Sequence, residues 1–128
     1  MSAGEYDILI PGDMPAAAER VLADTHSLPQ VEVLVVGHHG AASSTAPELL
    51  QTVSPEIAVI SVGADNSYGH PHQEAVDRLR QYCGEQIWRT DENGTVTITS
   101  DGQRFCMFFI FQECFNRNSA LFSASKCI

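Results

Sequence analysis

Short continuous apolar runs alternate along this chain with stripes at helical spacing, and that alternation predicts a layered α/β protein. Residues Tyr6 to Ile10 read as a strand stopped by Pro11-Gly12. A helix follows from Met14 to Ala23, with its apolar stripe expected at Ala17, Val21 and Leu22. From Val31 to Val36 the chain is almost wholly apolar, as in a strand buried on both faces. Thr45 is placed to cap the next helix, which has Pro47 near its first turn and continues through Leu49, Leu50 and Val53. Ile57 to Val62 repeats the buried-strand pattern, and Gln73 to Cys83 sets Val76, Leu79 and Cys83 on one side of a helix. Ile87 to Thr90 predicts a fourth strand. Asp91-Glu92-Asn93-Gly94 then reads as a hairpin turn into Thr95-Val96-Thr97-Ile98, whose alternation suits a half-exposed strand. Repeated strand-helix units with an antiparallel edge predict a mixed sheet with flanking helices.

The last segment breaks the pattern. All six phenylalanines and three of the four cysteines fall between Phe105 and Ile128, a stretch without Gly, Pro, Val, Thr or Asp. Phe105 to Phe111 is a candidate last strand, and its unbroken apolar surface favours aggregation when unpaired. Residues 105–128 are therefore set apart from 1–104 as an atypical tail, either a final strand or a foreign, frameshifted ending. The neighbouring reading frame of the encoding DNA distinguishes the two.

A length of 128 residues suits one small domain. The chain has no run of the ~20 apolar residues a membrane span needs and no secretory pattern at Met1, so as given it is expected to be soluble. Its charge of −9, with only seven Lys and Arg, opposes long-range attraction to nucleic acid. A polyanionic substrate would need metal cations to offset that field. Cys83, Cys106, Cys114 and Cys127 lack C-x-x-C spacing and the density of a disulfide scaffold, and read as reduced and structural.

Chemistry concentrates where strands end. Ile10-Pro11-Gly12-Asp13 offers a short carboxylate on a tight turn; Asp13 is a candidate metal ligand, though taken alone it reads first as a cap for the following helix. Val36-Gly37-His38-His39-Gly40 delivers two adjacent imidazoles, which persisting strand geometry would point in opposite directions, one to bind a cation and one to support it. Ser43, Ser44 and Thr45 carry hydroxyls fit for phosphate oxygens or for helix capping. In Tyr68-Gly69-His70-Pro71-His72 both imidazoles face one pocket if the backbone is extended; alternatively Pro71 opens a helix with His70 at its cap. His26, in a loop without glycine, reads as a surface residue.

In order and spacing, Gly12-Asp13, Gly37-His38-His39-Gly40 with Ser43-Ser44-Thr45, Ser61-Val62-Gly63, Asn66, Tyr68-Gly69-His70-Pro71-His72 and Arg89-Thr90-Asp91 with Gly94 resemble the metallo-β-lactamase-like C-terminal domain of ComEC-type competence proteins. The resemblance spans about residues 6 to 102. It implies an αββα metallohydrolase fold, one or two divalent cations such as zinc or manganese, and a nuclease role in DNA uptake, in a membrane-associated parent. Carried over by position, Asp13 corresponds to a bridging metal ligand and the His38-His39 pair to a later histidine ligand, His39 binding and His38 supporting it, while His70 and His72 match a loop lining the same cleft. The His-x-x-x-Asp-His type run of the fold's N-terminal half is absent from this sequence. The chain is thus expected to be the C-terminal half of that fold, with an incomplete metal site, inactive alone, and partnered by DNA, by a missing N-terminal half or membrane channel domain, or by itself. The alternatives are a non-catalytic remnant and a small phosphate-binding α/β module. An uncovered sheet face is expected of such a half.

Overall fold

The computed structural model describes residues 2–3, 6–25, 27–101, 105–110 and 123–127. Strand β1 (Ser2–Ala3) pairs antiparallel with β2 (Tyr6–Leu9), and β2, β3 (Val33–Val35), β4 (Ile57–Ile60) and β5 (Ile87–Arg89) follow side by side, all parallel. Helices α1 (Ala16–Thr25), α2 (Pro47–Val53) and α3 (Gln73–Cys83) connect them. The sheet is mixed and the class is α/β.

Because successive side chains of a strand alternate between faces, each buried run serves two cores. Leu34, Ala58 and Ile60 meet Leu50 of α2 and Val76, Leu79 and Cys83 of α3. Val31, Leu49 and Val53 form an adjoining cluster with Leu9 and with Ala16, Leu22 and Ala23 of α1. Val33, Ile57 and Val59 point the other way, with Tyr6, Ile8 and Trp88, onto Val96, Ile98 and Met107. Those last three belong to a second, three-stranded sheet: β6 (Thr95–Ser100) pairs antiparallel with β7 (Phe105–Ile110), and β7 with β8 (Ser123–Cys127). Each Leu, Ile or Met fully buried in these layers contributes roughly 1.5–3 kcal/mol.

Several sequence expectations are corrected here. The parallel sheet does not present a bare face, because the second sheet covers the side opposite the helices. Asp91 to Gly94 is not a hairpin turn. Strands β5 and β6 lie in different sheets, joined by one helical turn, α4 (Thr90–Asn93), and of those turn residues only Gly94 has a positive φ, at 70°. The type I′ turn favoured by Asn-Gly needs a positive φ at both central residues. The acidic side chains serve Arg89 instead, whose guanidinium meets Asp91 at 3.0 and 2.6 Å and Glu92 at 2.8 Å.

The stripe of α1 is rotated from its expected position. Ala17 and Val21 are exposed, while Ala16, Leu22 and Ala23 face the core around a fully buried Glu19. The reduced state holds for Cys83, buried and free, whose thiol is pushed up to about 11 by desolvation. It does not hold for Cys106, which is disulfide-bonded. Register sets Cys106 opposite Cys127, a cross-strand proximity that linear spacing does not reveal. His26, Cys114 and the boundary at Arg104 lie outside the described residues. Among the described residues no helix is long and apolar enough to cross a membrane.

Candidate functional site at the C-terminal edge of the parallel sheet

Parallel strands deliver their C-terminal ends to one edge, and the loops leaving β2, β3 and β4 carry Asp13, His38 with His39, and His70 with His72. That edge is where open α/β sheets place their ligands. The first two loops touch directly: the His38 N–H donates to the Gly12 carbonyl at 3.0 Å. A Cβ on Gly37 would stand 3.2 Å from that carbonyl and 3.2 Å from Glu19 Oε1, so a larger residue would push these neighbours apart by a few tenths of an ångström. Asp13 is exposed, and the first turn of α1 closes on the Pro15 carbonyl rather than on the Asp13 side chain.

Strand geometry does not persist into the histidine pair. It stops at Val35, and a 3-10 turn (Gly37–Gly40) holds His38 at φ 51°, ψ 39° and His39 at φ 56°, ψ 24°. Left-handed backbone costs a non-glycine residue roughly 1–2 kcal/mol. Strain of this kind persists where surrounding contacts impose it. The contacts come from the third loop: Pro71 Cβ lies 2.6 Å from where a Gly40 Cβ would be, the His72 N–H donates to the Gly40 carbonyl at 2.9 Å, and the Ala42 N–H donates to His72 Nδ1 at 2.9 Å.

These bonds fix two ring tautomers. His39 Nδ1 lies 2.7 Å from the Ser61 carbonyl, which only accepts, so Nδ1 carries the proton and Nε2 keeps its lone pair. His72 is the reverse: its Nδ1 accepts from Ala42, so the neutral ring carries its proton on Nε2 and is a donor. His70 sits between, 4.9 Å from His72 and 6.2 Å from His38 by ring centroids, both edge-on. Burial first, then the neighbouring His72, His38 and His39, hold its pKa below the ordinary histidine value. Pro71 is not in a helix; α3 begins at Gln73, with His72 at its cap position.

The hydroxyl loop is more divided than its sequence suggests. Ser44 is buried and its Oγ donates towards the carbonyls of Gly37 and Ala41, both at 2.9 Å. Thr45 is buried with φ 60° and does not cap α2; the cap position is Ala46, and Glu19 supplies the acceptors, taking the Thr45 N–H at 3.1 Å and the Ala46 N–H at 2.6 Å. Ser43 alone of the three is exposed. It borders a cavity of about 250 Å³ with Arg20, Pro47 and Arg78. Arg78 donates to the carbonyls of Ala42 and Ser44 at 2.7 and 2.9 Å, and its buried Nε has no partner among the described residues.

Glu19, Arg78 and Thr90 therefore shape this edge without having been singled out as chemistry in the sequence. Thr90 Oγ1 accepts from the Val62 N–H and donates to the Val62 carbonyl, both at 2.7 Å, tying the end of β4 to α4. For Glu19 a signal exists, a charged residue spaced three apart from Ala16 and Leu22 on the inner stripe. For Arg78 and Thr90 there is none, since their partners are distant backbone atoms. No group of three His, Cys, Asp or Glu side chains able to hold a metal ion occurs among the described residues.

The architecture defines an α/β domain with a histidine-rich edge. By sequence the chain is 35% identical over 96 residues to ComE operon protein 3 of Bacillus subtilis, a match covering 75% of this chain and 12% of that protein. It is 40% identical over 79 residues to Recombination protein 2 of Haemophilus influenzae, covering 62% of this chain and 10% of that one. Over 95 residues it is 37% identical to Competence protein ComA of Neisseria gonorrhoeae, covering 73% and 14%. The similarity is thus to proteins named for competence and recombination. The chain spans about an eighth of the length of these relatives. No protein-family model and no solved structure matches it.

Proposed function

We propose that this chain carries the C-terminal part of a metallo-β-lactamase-like phosphodiesterase acting on DNA during uptake, and that turnover also needs the N-terminal part of that fold. The observation that carries the reading is the His39 tautomer. Metal-ligating histidines characteristically donate their other ring N–H to a carbonyl or carboxylate, which orients the ring and raises its basicity. The bond from His39 to Ser61 has that form and leaves Nε2 free at the sheet edge.

Asp13 and His39 would hold the cation, zinc or manganese, with further ligands from the N-terminal part of the fold. Bound there, the cation would supply Lewis acidity towards a phosphoryl oxygen. The remaining residues act by position. His72 Nε2–H is a donor suited to a phosphodiester oxygen, His38 and His70 line the same cleft, and Ser43 adds an outward hydroxyl. Ser44 and Thr45 shape the loop from inside.

A non-catalytic phosphate-binding module is the second reading, favoured by the lack of three convergent metal-ligating side chains among the described residues. One reconstitution decides. Mixing this chain with a half bearing a His-x-x-x-Asp-His run gives manganese- or zinc-dependent phosphodiester hydrolysis that neither half shows alone. Asp13→Asn and His39→Ala each weaken cation binding by about 10–100-fold or more, the loss that follows from disturbing even a ligand's support. Unchanged cation affinity in both variants rejects the assignment; phosphate binding insensitive to chelators supports the module.

A further inference from the structure

We infer that Tyr68 is a stacking platform for an unpaired nucleobase, placed beside the histidine cluster so that a single strand enters base-first. The inference rests on the DNA-processing reading of the same edge and adds to it the feature that grips the substrate.

Tyr68 is 77% exposed, more than Ile10, Val21 or Tyr82, and joins none of the core clusters. Its ring lies nearly parallel to that of His70, at a centroid distance of 5.8 Å and an angle of 23°. His70 in turn meets His72 and His38 edge-on. The rings thus make a chain of contacts from the exposed Tyr68 through His70 to the proposed donor on His72. The loop that presents them is closed by one side chain: Asn66 Nδ2 donates to the carbonyls of Gly63 and His70 at 2.9 and 2.8 Å, and its Oδ1 accepts the His70 N–H at 2.9 Å. The clamp holds the backbone at Gly63 and His70, so the loop on which Tyr68 stands loses little freedom when a base lands on the ring.

Charge selects the mode of binding. With a net charge of −9 and seven cationic side chains, the chain has little with which to hold a phosphate backbone at a distance. Stacking does not depend on the sign of the partner's charge, and every base offers a π-face once it is unpaired. A duplex hides those faces, so the geometry favours a single strand.

The test is equilibrium binding of a fluorescent thymidine oligonucleotide to the 128-residue chain, read by anisotropy at low salt. Tyr68→Ala weakens binding roughly 5- to 150-fold, the range that loss of one base stack produces. Tyr68→Phe and Tyr68→Trp stay within about threefold, since both keep a π-face. An abasic oligonucleotide binds the unaltered chain as weakly as the intact one binds Tyr68→Ala. Equal binding by Tyr68→Ala, indifference to abasic substitution, or no binding by the unaltered chain each overturns the inference. Tyr68-dependent binding without hydrolysis in the reconstituted domain sinks the phosphodiesterase reading and leaves this one standing.

Discussion

Gly40 is the residue on which the histidine cluster closes. It sits at φ +78° with Pro71 Cβ 2.6 Å from where its own Cβ would be, so Gly40→Ala combines a left-handed penalty with a steric clash. Overpacking of this kind costs about 1–3 kcal/mol and the backbone a further 1–2, giving an expected loss of ~2–5 kcal/mol in urea unfolding. Glu19 acts from the other side of the same loop. Glu19→Ala leaves the buried N–H groups of Thr45 and Ala46 without acceptors, and should cost ~2–5 kcal/mol, while Glu19→Gln keeps one oxygen and loses roughly half as much. Faster amide exchange at residues 45 and 46 in the alanine variant checks that the loop is what loosens.

His70 predicts a pH dependence. Its folded pKa is lowered, so as pH falls the unfolded chain takes up the proton first. The stability contributed by the neutral ring is fully present above the ordinary histidine value of about 6.5 and is lost below it, until both states are protonated. Unfolding midpoints measured from pH 8 down to pH 5 should fall more steeply for the unaltered chain than for His70→Gln. Equal slopes would rule out His70 as the group responsible.

Among the elements, α4 shows how a local motif yields to tertiary demand. Asp91 to Gly94 has the composition of a hairpin turn, yet the preceding Arg89 draws Asp91 and Glu92 into ion pairs and donates its backbone N–H to Asn93 Oδ1 at 2.8 Å. One helical turn satisfies all of these and lets the chain leave one sheet for another. Thr90 then anchors the turn to Val62. Thr90→Val keeps the shape and removes both bonds, and should cost about 1–3 kcal/mol through the unsatisfied Val62 groups. Denaturant unfolding measures it; no change would mean that Arg89 alone holds the element.

For the whole molecule the second sheet is decisive. Met107 is 2% exposed and packs with Val33, Ile57 and Val59, so the segment beginning at Phe105, however unusual its composition, contributes a side chain to the core. Met107→Ala should destabilise by about 2–5 kcal/mol, the ordinary range for a buried Met to Ala change. A change below 0.5 kcal/mol, within the range of surface substitutions, would show that β7 is not part of the cooperative unit.

The apolar runs by themselves determined the parallel strands, the three long helices and the placing of Asp13, His38, His39, His70 and His72 at strand ends, because burial on both faces of a sheet leaves a continuous mark in one dimension. Only the tertiary structure decided which face of α1 turns inward, that Ser44 and Thr45 point into the protein, which ring nitrogens of His39 and His72 carry protons, and that β6 and β7 form a separate layer. Each of those outcomes depends on a hydrogen bond or contact between residues far apart in sequence. Glu19 reaches Thr45, Ser61 reaches His39, and Met107 reaches Val33, and no local pattern encodes a partner that distant.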